Sequence, residues 1–254
     1  MIETLGILGV GHLASYVVAG LRHGGYNGSI LLSPRNPERS AALAKQHGCE
    51  LAATNEELLR RSEYILLAVR PAQAEGLLQS LTFSTEQLVI SCVAGMPLAE
   101  LERLVAPARV VRTLPLACAE IGEGAVPLYP DHPQVRELLG VIGQVICLKN
   151  EAEFELASVA ACMNGWMYGF FEQLTHWYVD QGMAPAEARA LVLHSVGGAA
   201  KFASARPELP LRGISDSIAT PGTYTLTGLE LLQNSDAFSP WLQACEQVSL
   251  ALKK

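Results

Sequence analysis

The first 150 residues alternate short, β-rich apolar runs with stretches of helical periodicity. This alternation predicts a mostly parallel sheet whose strands are joined by crossover helices, which is doubly wound α/β order. The predicted strands are Thr4 to Leu8, Ser29 to Ser33, Tyr64 to Val69, Leu88 to Val93, Arg109 to Thr113, Gly124 to Leu128 and Gln144 to Leu148. The predicted helices lie near Leu13 to His23, Pro37 to His47, Asn55 to Arg61, Gln73 to Leu81 and Pro97 to Leu104.

The pattern changes at Glu151, where the β-rich runs stop. Apolar residues then recur at intervals of three and four, as in Phe154 to Gln181 and Pro185 to Ala205, which indicates long helices. Glycines and prolines mark where these helices break. We therefore predict an α/β domain over residues 1–150 and an all-helical domain over residues 151–254.

The composition of the chain excludes several classes of binding partner. Half of its 254 residues are hydrophobic, so a large core is expected, and the net charge of −7 comes without a basic run that would attract nucleic acid or an anionic membrane. No apolar stretch reaches the length of a membrane span, and the first twenty residues do not resemble a targeting peptide. The six cysteines are widely spaced and never form CxxC, so neither disulfides nor a metal site is expected. We expect a soluble, cytoplasmic protein.

A glycine-rich turn follows the first predicted strand. Gly9-Val10-Gly11-His12-Leu13-Ala14 has the form GxGxxA and opens a helix at the first βα junction. Gly9 permits the tight turn, Gly11 lets the backbone approach a pyrophosphate, and Ala14 lets helix and strand pack closely. The helix start, with His12 and Leu13, adds free amides and a partial positive charge. An ordinary glycine turn is the alternative, but the position of this one favours dinucleotide binding.

The end of the second predicted strand indicates which dinucleotide is preferred. Chains that bind NAD usually present Asp or Glu there to the ribose 2′-hydroxyl, and this chain has no acid at the strand tip. Ser33, Arg35 and Asn36 are instead suited to a 2′-phosphate, with Arg35 supplying planar, charge-assisted donors. Solvated charges at a helix entry are the alternative for Arg35 and, more evenly, for Arg39. These residues predict NADPH rather than NADH.

Three later strands should end at the same edge of the sheet, where ligands bind in open α/β folds. Simple packing explains the apolar residues at these ends nearly as well as cofactor contact does. The predicted cofactor contacts at this edge are Ala68, Val69, Pro71, Ala94 and Gly95, with Leu114 and Pro115 near the nicotinamide.

In the helical half, Thr220-Pro221-Gly222-Thr223-Tyr224-Thr225 precedes a helical pattern. Such a turn exposes backbone amides at a helix start, which suits a carboxylate. On the local pattern alone, a plain capped helix entry is the favoured explanation.

Together these segments resemble the pyrroline-5-carboxylate reductase family, over nearly the whole chain. The segments that carry the resemblance are Gly-Val-Gly-His-Leu-Ala at 9–14, Ala-Val-Arg-Pro at 68–71, Ser-Cys-Val-Ala-Gly at 91–95, Val-Val-Arg-Thr-Leu-Pro at 110–115 and Thr-Pro-Gly-Thr-Tyr-Thr at 220–225. The resemblance implies a Rossmann domain followed by a helical dimerisation domain, and a homodimer or larger homo-oligomer. It also implies reduction of a cyclic imine acid, most simply 1-pyrroline-5-carboxylate to L-proline, by NADPH.

The resemblance assigns roles to the loop at 220–225. It implies that Gly222, Thr223, Tyr224 and Thr225 hold the substrate carboxylate through backbone amides, and that Thr225 faces the imine nitrogen as the catalytic residue. Related imine reduction on another substrate, and cofactor binding without turnover, are the alternatives.

The chain departs from the family pattern where substrate would bind. The family usually has Met-Pro-Asn, Ser-Gly-Pro-Ala-Tyr and Pro-Gly-Gly-Thr-Thr at these places. The departing residues are Leu116, Asn164, Trp166, Thr223 and Tyr224. The segments predicted to bind cofactor therefore match the family pattern more closely than the segments predicted to bind substrate.

Overall fold

The computed structural model describes residues 2–252. The strands are Thr4–Leu8 (β1), Ser29–Leu32 (β2), Glu50–Leu51 (β3), Tyr64–Leu67 (β4), Leu88–Ser91 (β5), Arg109–Thr113 (β6), Ala125–Tyr129 (β7) and Gln144–Cys147 (β8). The helices are His12–His23 (α1), Pro37–His47 (α2), Asn55–Arg61 (α3), Pro71–Gln79 (α4), Leu98–Val105 (α5), Pro133–Leu139 (α6), Glu151–Asp180 (α7), Pro185–Ser204 (α8), Leu211–Ile218 (α9), Tyr224–Asn234 (α10) and Ser239–Leu252 (α11), with a 3-10 helix at Ala117–Ile121.

The strands form one sheet in the order β3-β2-β1-β4-β5-β6-β7-β8. Neighbouring strands pair in parallel except β6 and β7, which pair antiparallel. From β1 the chain moves outward to β2 and β3, and then crosses to β4 on the other side of β1. The predicted doubly wound, mostly parallel fold is confirmed, and its topological switch point lies between β1 and β4.

Apolar side chains cover both faces of this sheet, as expected for strands buried by crossover helices. One core cluster joins alternate residues of the central strands to α1 and α6, and includes Ile7, Val18, Ile90 and Leu139. The other joins the intervening residues to α3, α4 and α5. The carboxyl edge of the sheet is therefore held by a packed core on each side.

Within residues 2–150, the structure contains three elements that the sequence pattern did not predict. Strand β3 has two exposed residues at the sheet edge, too few to show an alternating pattern. Helix α6 has seven residues and begins at Pro133, and the 3-10 helix has five. All three are shorter than the windows over which periodicity is informative. Most other predicted elements match their observed bounds within one to two residues.

The chain divides into two compact units. The first comprises the chain up to Ala161 together with the C-terminal stretch from Ser249, so it includes the first turns of α7. The second comprises Cys162–Val248 and is entirely helical. The predicted domain boundary between residues 150 and 151 stays a prediction.

The second unit buries few of its hydrophobic side chains. Within residues 162–248, all of which are described, Ala188 and Val192 of α8 are the buried hydrophobic residues. No residue of α9, α10 or α11 within the described range is buried. No helix in residues 2–252 has both the length and the apolar character needed to cross a membrane.

Candidate active site

The glycine turn after β1 is shaped for close approach by a ligand. Gly9 has φ +94°, and a Cβ there would lie 2.5 Å from Val69 Cγ1 and 2.7 Å from the carbonyl oxygen of Ala68. At Gly11 an added Cβ would meet nothing within 4 Å in the described part of the chain. Gly11 is also the N-cap of α1, and no side chain in that part caps the helix. The turn therefore fits a pyrophosphate lying on the start of α1.

The three residues after Gly11 have different environments. His12 is exposed, Leu13 is half-buried and Ala14 is fully buried in the core beside β1. A small side chain at Ala14 lets α1 approach the sheet closely. His12 and Leu13 are the first two residues of α1, so their backbone N–H groups lie at the start of the helix.

Ser33 braces the glycine turn from the neighbouring strand end. The Gly9 N–H donates to Ser33 Oγ at 3.1 Å, and the Ser33 carbonyl accepts from Ser40 Oγ at 3.0 Å. Ser33 is 2% exposed. Its hydroxyl thus links β2 to the turn, and its predicted contact with a 2′-phosphate stays a prediction.

Arg35 lies at the exposed surface beyond β2. Its Nη1 donates to Gln73 Oε1 of α4 at 3.4 Å, so the structure brings it beside the helix that begins at Pro71. Asn36 caps α2, because its Oδ1 accepts from the Arg39 N–H at 3.3 Å. Gln73 was not singled out from the sequence, where one glutamine on a helix carries no distinguishing pattern.

The ends of β1, β4, β5 and β6 meet at one edge. Parallel register pairs Leu8 with Leu67, Leu67 with Ser91, and Ser91 with Arg112. The residues that follow these strands therefore share the carboxyl edge, as predicted for an open α/β sheet. The predicted residues brought to this edge are Ala68, Val69, Pro71, Ala94, Gly95, Leu114 and Pro115.

The residues flanking β4 and β5 differ in exposure. The Ala68 N–H donates to the Leu8 carbonyl at 2.8 Å, which extends the pairing beside the glycine turn. Ala68, Val69 and Ala94 are half-buried, and Pro71 is exposed at the first turn of α4. Gly95 is exposed with φ +70°, a conformation that favours glycine. This edge offers a cofactor mainly backbone and small apolar side chains.

Burial raises the pKa of the Cys92 thiol, just after β5, to about 12. The thiol is therefore protonated at neutral pH and is not a nucleophile there. All six cysteines are free. Across residues 2–252, no three His, Cys, Asp or Glu side chains form a group that could hold a metal ion.

A buried arginine lies at the end of β6 and was missed as a candidate. Arg112 is the largest fully buried side chain in the described part of the chain, and its Nη1 donates to carboxylates of Glu151 and Glu155 at 2.6 Å each. The available signal was a charged residue inside the apolar run from Val110 to Thr113, because arginine is rarely fully buried unless it is paired.

The loop before α10 forms a helix entry with exposed donors. Thr223 is the N-cap: its Oγ1 accepts from the Leu226 N–H at 3.2 Å and donates to the Thr220 carbonyl at 2.7 Å. Gly222 has φ +86°, which permits the turn. The Thr225 hydroxyl is exposed and has no hydrogen-bond partner among the described residues. The first turn of α10 thus offers the Tyr224 and Thr225 amides beside a free hydroxyl.

Two of the departures from the family pattern have contrasting structural roles. Trp166 is half-buried and packs edge-on against Trp241, with ring centroids 6.3 Å apart, inside the second unit. Tyr224, by contrast, is 96% exposed next to Thr225. The tryptophan therefore belongs to a local aromatic cluster, whereas the tyrosine is available to a ligand or another chain.

A cleft at the opposite edge of the sheet is unrelated to these residues. It encloses about 620 Å³ and is lined by charged and polar side chains, such as Arg61 and Glu63, where β4 and β5 begin. Ligands in open α/β folds bind outside the carboxyl ends of the strands, so this cleft is not the candidate site.

Comparison with known proteins matches both halves of the chain. Residues 4–95 match the family described as NADP oxidoreductase coenzyme F420-dependent, and residues 152–252 match the pyrroline-5-carboxylate reductase dimerisation family. The pyrroline-5-carboxylate reductase of Pasteurella multocida is 27% identical over 99% of this chain and 98% of its own length.

Solved structures agree over the full length. The 1-pyrroline-5-carboxylate reductase of Streptococcus pyogenes aligns with a TM-score of 0.86 and 25% identity over 98% of both chains. The pyrroline carboxylate reductase of Plasmodium falciparum with NADP bound shares the fold, with a TM-score of 0.86 and 22% identity over 100% of this chain and 98% of that one.

The fold, the glycine turn and these matches define an NAD(P)H-dependent oxidoreductase that acts on a carbon–nitrogen double bond. The dimerisation-family match over residues 152–252 and the similarity to full-length relatives support assignment to the pyrroline-5-carboxylate reductase family.

Proposed function

We propose that the protein reduces a cyclic imine acid with NADPH, and that the substrate is 1-pyrroline-5-carboxylate and the product L-proline. The observation that carries the proposal is the unpartnered hydroxyl of Thr225 beside the exposed amides that begin α10. The similar proteins of Pasteurella multocida and Streptococcus pyogenes are named for this activity. The glycine turn supports the same chemistry from the other half of the chain.

The cofactor half of the proposal rests on residues at the carboxyl edge. Gly9 and Gly11 fit a pyrophosphate on α1, and the exposed Arg35 supplies a planar cation for a 2′-phosphate. No acidic residue lies between Ser29 and Pro37 to bind a 2′-hydroxyl. NADP also figures in the description of the family that matches residues 4–95. We therefore propose NADPH as the preferred cofactor.

The substrate half rests on the loop at Thr220–Thr225. Amides at a helix start favour a carboxylate, since they combine free donors with the positive end of the helix dipole. Thr223 takes the Leu226 N–H for its own cap, which leaves the Tyr224 and Thr225 amides for the ligand. We propose that Gly222 and Thr223 shape this loop around the carboxylate, with Tyr224 at its rim.

NADPH, when bound, supplies the hydride that adds to the imine carbon. The chain has to orient the imine and control one proton at nitrogen. Thr225 is proposed to donate its hydroxyl hydrogen bond to that nitrogen, and the α10 amides fix the carboxylate so that one face of the ring is presented. The nitrogen gains one proton as the hydride adds to the carbon, and we propose that this proton is relayed from water through the Thr225 hydroxyl, so no further acid or base is required.

We also propose that the chain acts as a homodimer or larger homo-oligomer. Side chains of the second unit that a single chain leaves exposed include Tyr168, Trp177, Phe202, Leu231 and Leu242. Large apolar side chains left exposed on a monomer are typical of subunit interfaces. A reducing compartment such as the cytosol suits its six free cysteines.

The test is NADPH oxidation, followed at 340 nm, against a panel of cyclic and acyclic imines that includes 1-pyrroline-5-carboxylate. Turnover of that substrate with the highest kcat/KM supports the proposal. A higher kcat/KM on another imine refutes the substrate and favours a related imine reductase, in keeping with Leu116, Asn164 and Tyr224. NADPH binding without turnover of any imine favours a non-catalytic dinucleotide-binding protein.

A further inference from the structure

Arg112 ties three elements together in the first unit. It lies near the end of β6, and alternation along the strand puts its side chain on the same face as Val110, where α4 and α5 cover the sheet. Its Nη1 donates to Glu151 Oε1 and to Glu155 Oε1, both at 2.6 Å. The two glutamates are four residues apart and share one face of α7.

The same cluster reaches the start of α5. Glu151 Oε1 also accepts from the Leu98 N–H at 2.6 Å, at the first residue of that helix. A carboxylate in this position satisfies an otherwise unpaired amide and interacts favourably with the helix dipole. Glu151 Oε1 therefore accepts hydrogen bonds from both Arg112 of β6 and Leu98 of α5, and so links these two elements.

Arg112 is shielded from solvent and geometrically restricted, whereas Glu151 and Glu155 are partly exposed. Arg112 is 0% exposed, and its guanidinium carbon lies 4.5 Å from the centre of the Phe154 ring. Its Nε and Nη2 have no partner in residues 2–252. Such an arginine cannot rotate toward solvent or another acceptor without losing both carboxylates, so its position is fixed by α7.

The elements joined in this way carry two loops of the proposed active site. The segment from Ala94 to Pro97 runs from β5 into Leu98, and Leu114 and Pro115 follow β6 two residues after Arg112. Both loops lie at the carboxyl edge, on the side of the sheet toward β6, where the proposed nicotinamide contacts are. Each loop has one end attached to the same ionic cluster.

We propose that Arg112, Glu151 and Glu155 form an ionic clamp that positions the loops at residues 94–97 and 114–116 around the nicotinamide. These three are positioning residues, because none of them is required to touch the reacting atoms. That the bound ring is a nicotinamide rests on the proposed function. The ionic clamp itself rests only on contacts within the first unit. Misplacing a reacting ring by about 1 Å can lower the rate by about 100-fold, so a clamp remote from the chemistry has a measurable effect.

The test compares Glu151→Gln and Glu155→Gln with Glu153→Gln, a matched control on the same turn of α7. Glu153 accepts from the Lys149 N–H at 3.0 Å and makes no contact with Arg112. Arg112→Lys, which keeps the charge but loses the planar fork, is the fourth variant. Glutamine keeps the size of glutamate, so the two clamp variants are expected to fold even where an arginine variant does not.

The first readout is amide hydrogen exchange on the protein without cofactor. We expect exchange at residues 94–98 and 114–116 to accelerate by at least about 10-fold in Glu151→Gln and Glu155→Gln, since local opening of these loops becomes easier, and not in Glu153→Gln. Unchanged exchange in both clamp variants would overturn the proposal, whatever their melting temperatures.

The second readout is kinetic. We expect kcat to fall by about 10-fold in the clamp variants, with imine KM within about 3-fold of wild type and a larger primary isotope effect with deuterated NADPH, because the hydride step becomes slower. A fall in kcat that tracks melting temperature without accelerated exchange would show a merely structural role. Wild-type protein that reduces no imine would refute the proposed function, whereas the exchange comparison would still decide whether the clamp holds the loops.

Discussion

The two units of this chain solve the problem of burying apolar residues in different ways. The first packs α1 and α6 on one face of an eight-stranded sheet and α3 to α5 on the other, and its two core clusters are largely inaccessible to solvent. The second has long helices whose aromatic and aliphatic side chains remain exposed, with Ala188 and Val192 buried. The α/β unit therefore buries its apolar residues within one chain, whereas the helical unit leaves exposed apolar side chains that the proposed homo-oligomer would cover.

The largest expected effect is on assembly of the helical unit. Leu242 of α11 is 70% exposed, and placing a charge there should weaken an apolar interface, because a buried unpaired carboxylate is costly. We expect wild-type protein to sediment as a dimer or larger species at micromolar concentration, and Leu242→Glu to dissociate about 100-fold more readily, equivalent to about 2.7 kcal/mol.

The control for this prediction is Gln243→Glu, the same new charge on an already polar, exposed position. The melting temperature of wild type should also rise with protein concentration, since only the folded state associates. A wild-type protein that is a monodisperse monomer at micromolar concentration would contradict the proposal that the exposed side chains of the helical unit form a subunit interface.

The second prediction concerns what the helical unit supplies to the chemistry. Thr225→Val keeps the side-chain shape and removes the hydroxyl, so kcat for the imine should fall by about 100-fold, within the range seen for a single preorganised donor, while NADPH affinity is unchanged. Thr227→Val on the same helix removes a hydroxyl that bonds the Thr223 carbonyl at 3.4 Å and should leave kcat nearly unaltered. Equal rates in wild type and Thr225→Val would remove the proposed role of this residue.

The third prediction concerns ligand selection by the α/β unit. Loss of a hydrogen bond to a charged group costs about 1.5–3 kcal/mol, so Arg35→Ala should weaken NADPH binding by about 10- to 150-fold and leave NADH nearly unchanged. The measurement is titration of both cofactors by fluorescence. Arg60→Ala, which removes an exposed arginine of α3, is the control. Equal losses for both cofactors would show that Arg35 acts on structure rather than on the phosphate.

The last prediction separates stability from binding within the glycine turn. Gly9→Ala puts a Cβ against Val69 and Ala68 at a φ of +94°, so the free energy of unfolding should fall by about 1–3 kcal/mol without any cofactor present. Gly11→Ala meets no atom within 4 Å in residues 2–252, and should leave stability unchanged while it weakens NADPH binding. Urea unfolding of both variants checks this, and equal destabilisation would show that both glycines serve only the fold.

Sequence patterns predicted the α/β unit better than they predicted its internal contacts. The strand from Thr4 to Leu8 and the helix from Pro37 to His47 have their predicted bounds, because long apolar runs and a proline at the helix start are local signals. The two-residue strand β3 has no local signal, since its existence depends on pairing with β2.

The candidate site likewise contains residues that the sequence predicted and residues that it did not. Gly9, Gly11 and the loop at Thr220–Thr225 are visible in the sequence because they are contiguous motifs. The Arg112 cluster is not, since its partners are 39 and 43 residues away along the chain and become neighbours only when α7 packs against β6. Ser33 illustrates a third case, in which the residue is correctly placed at the strand end but its hydroxyl is engaged by Gly9.

The hydrogen bond from the Gly9 amide to Ser33 has a consequence for how such a protein can change its cofactor over time. Ser33 secures the glycine turn from the end of β2, whereas Arg35 and Asn36, which follow it, are exposed and lie outside the core. Natural variation or laboratory selection is therefore free to exchange Arg35 and so to retune the proposed preference for one nicotinamide coenzyme over the other, whereas Asn36 also caps α2. Substitution of Ser33 is constrained, because its hydroxyl accepts the hydrogen bond from the Gly9 amide, 24 positions earlier in the chain.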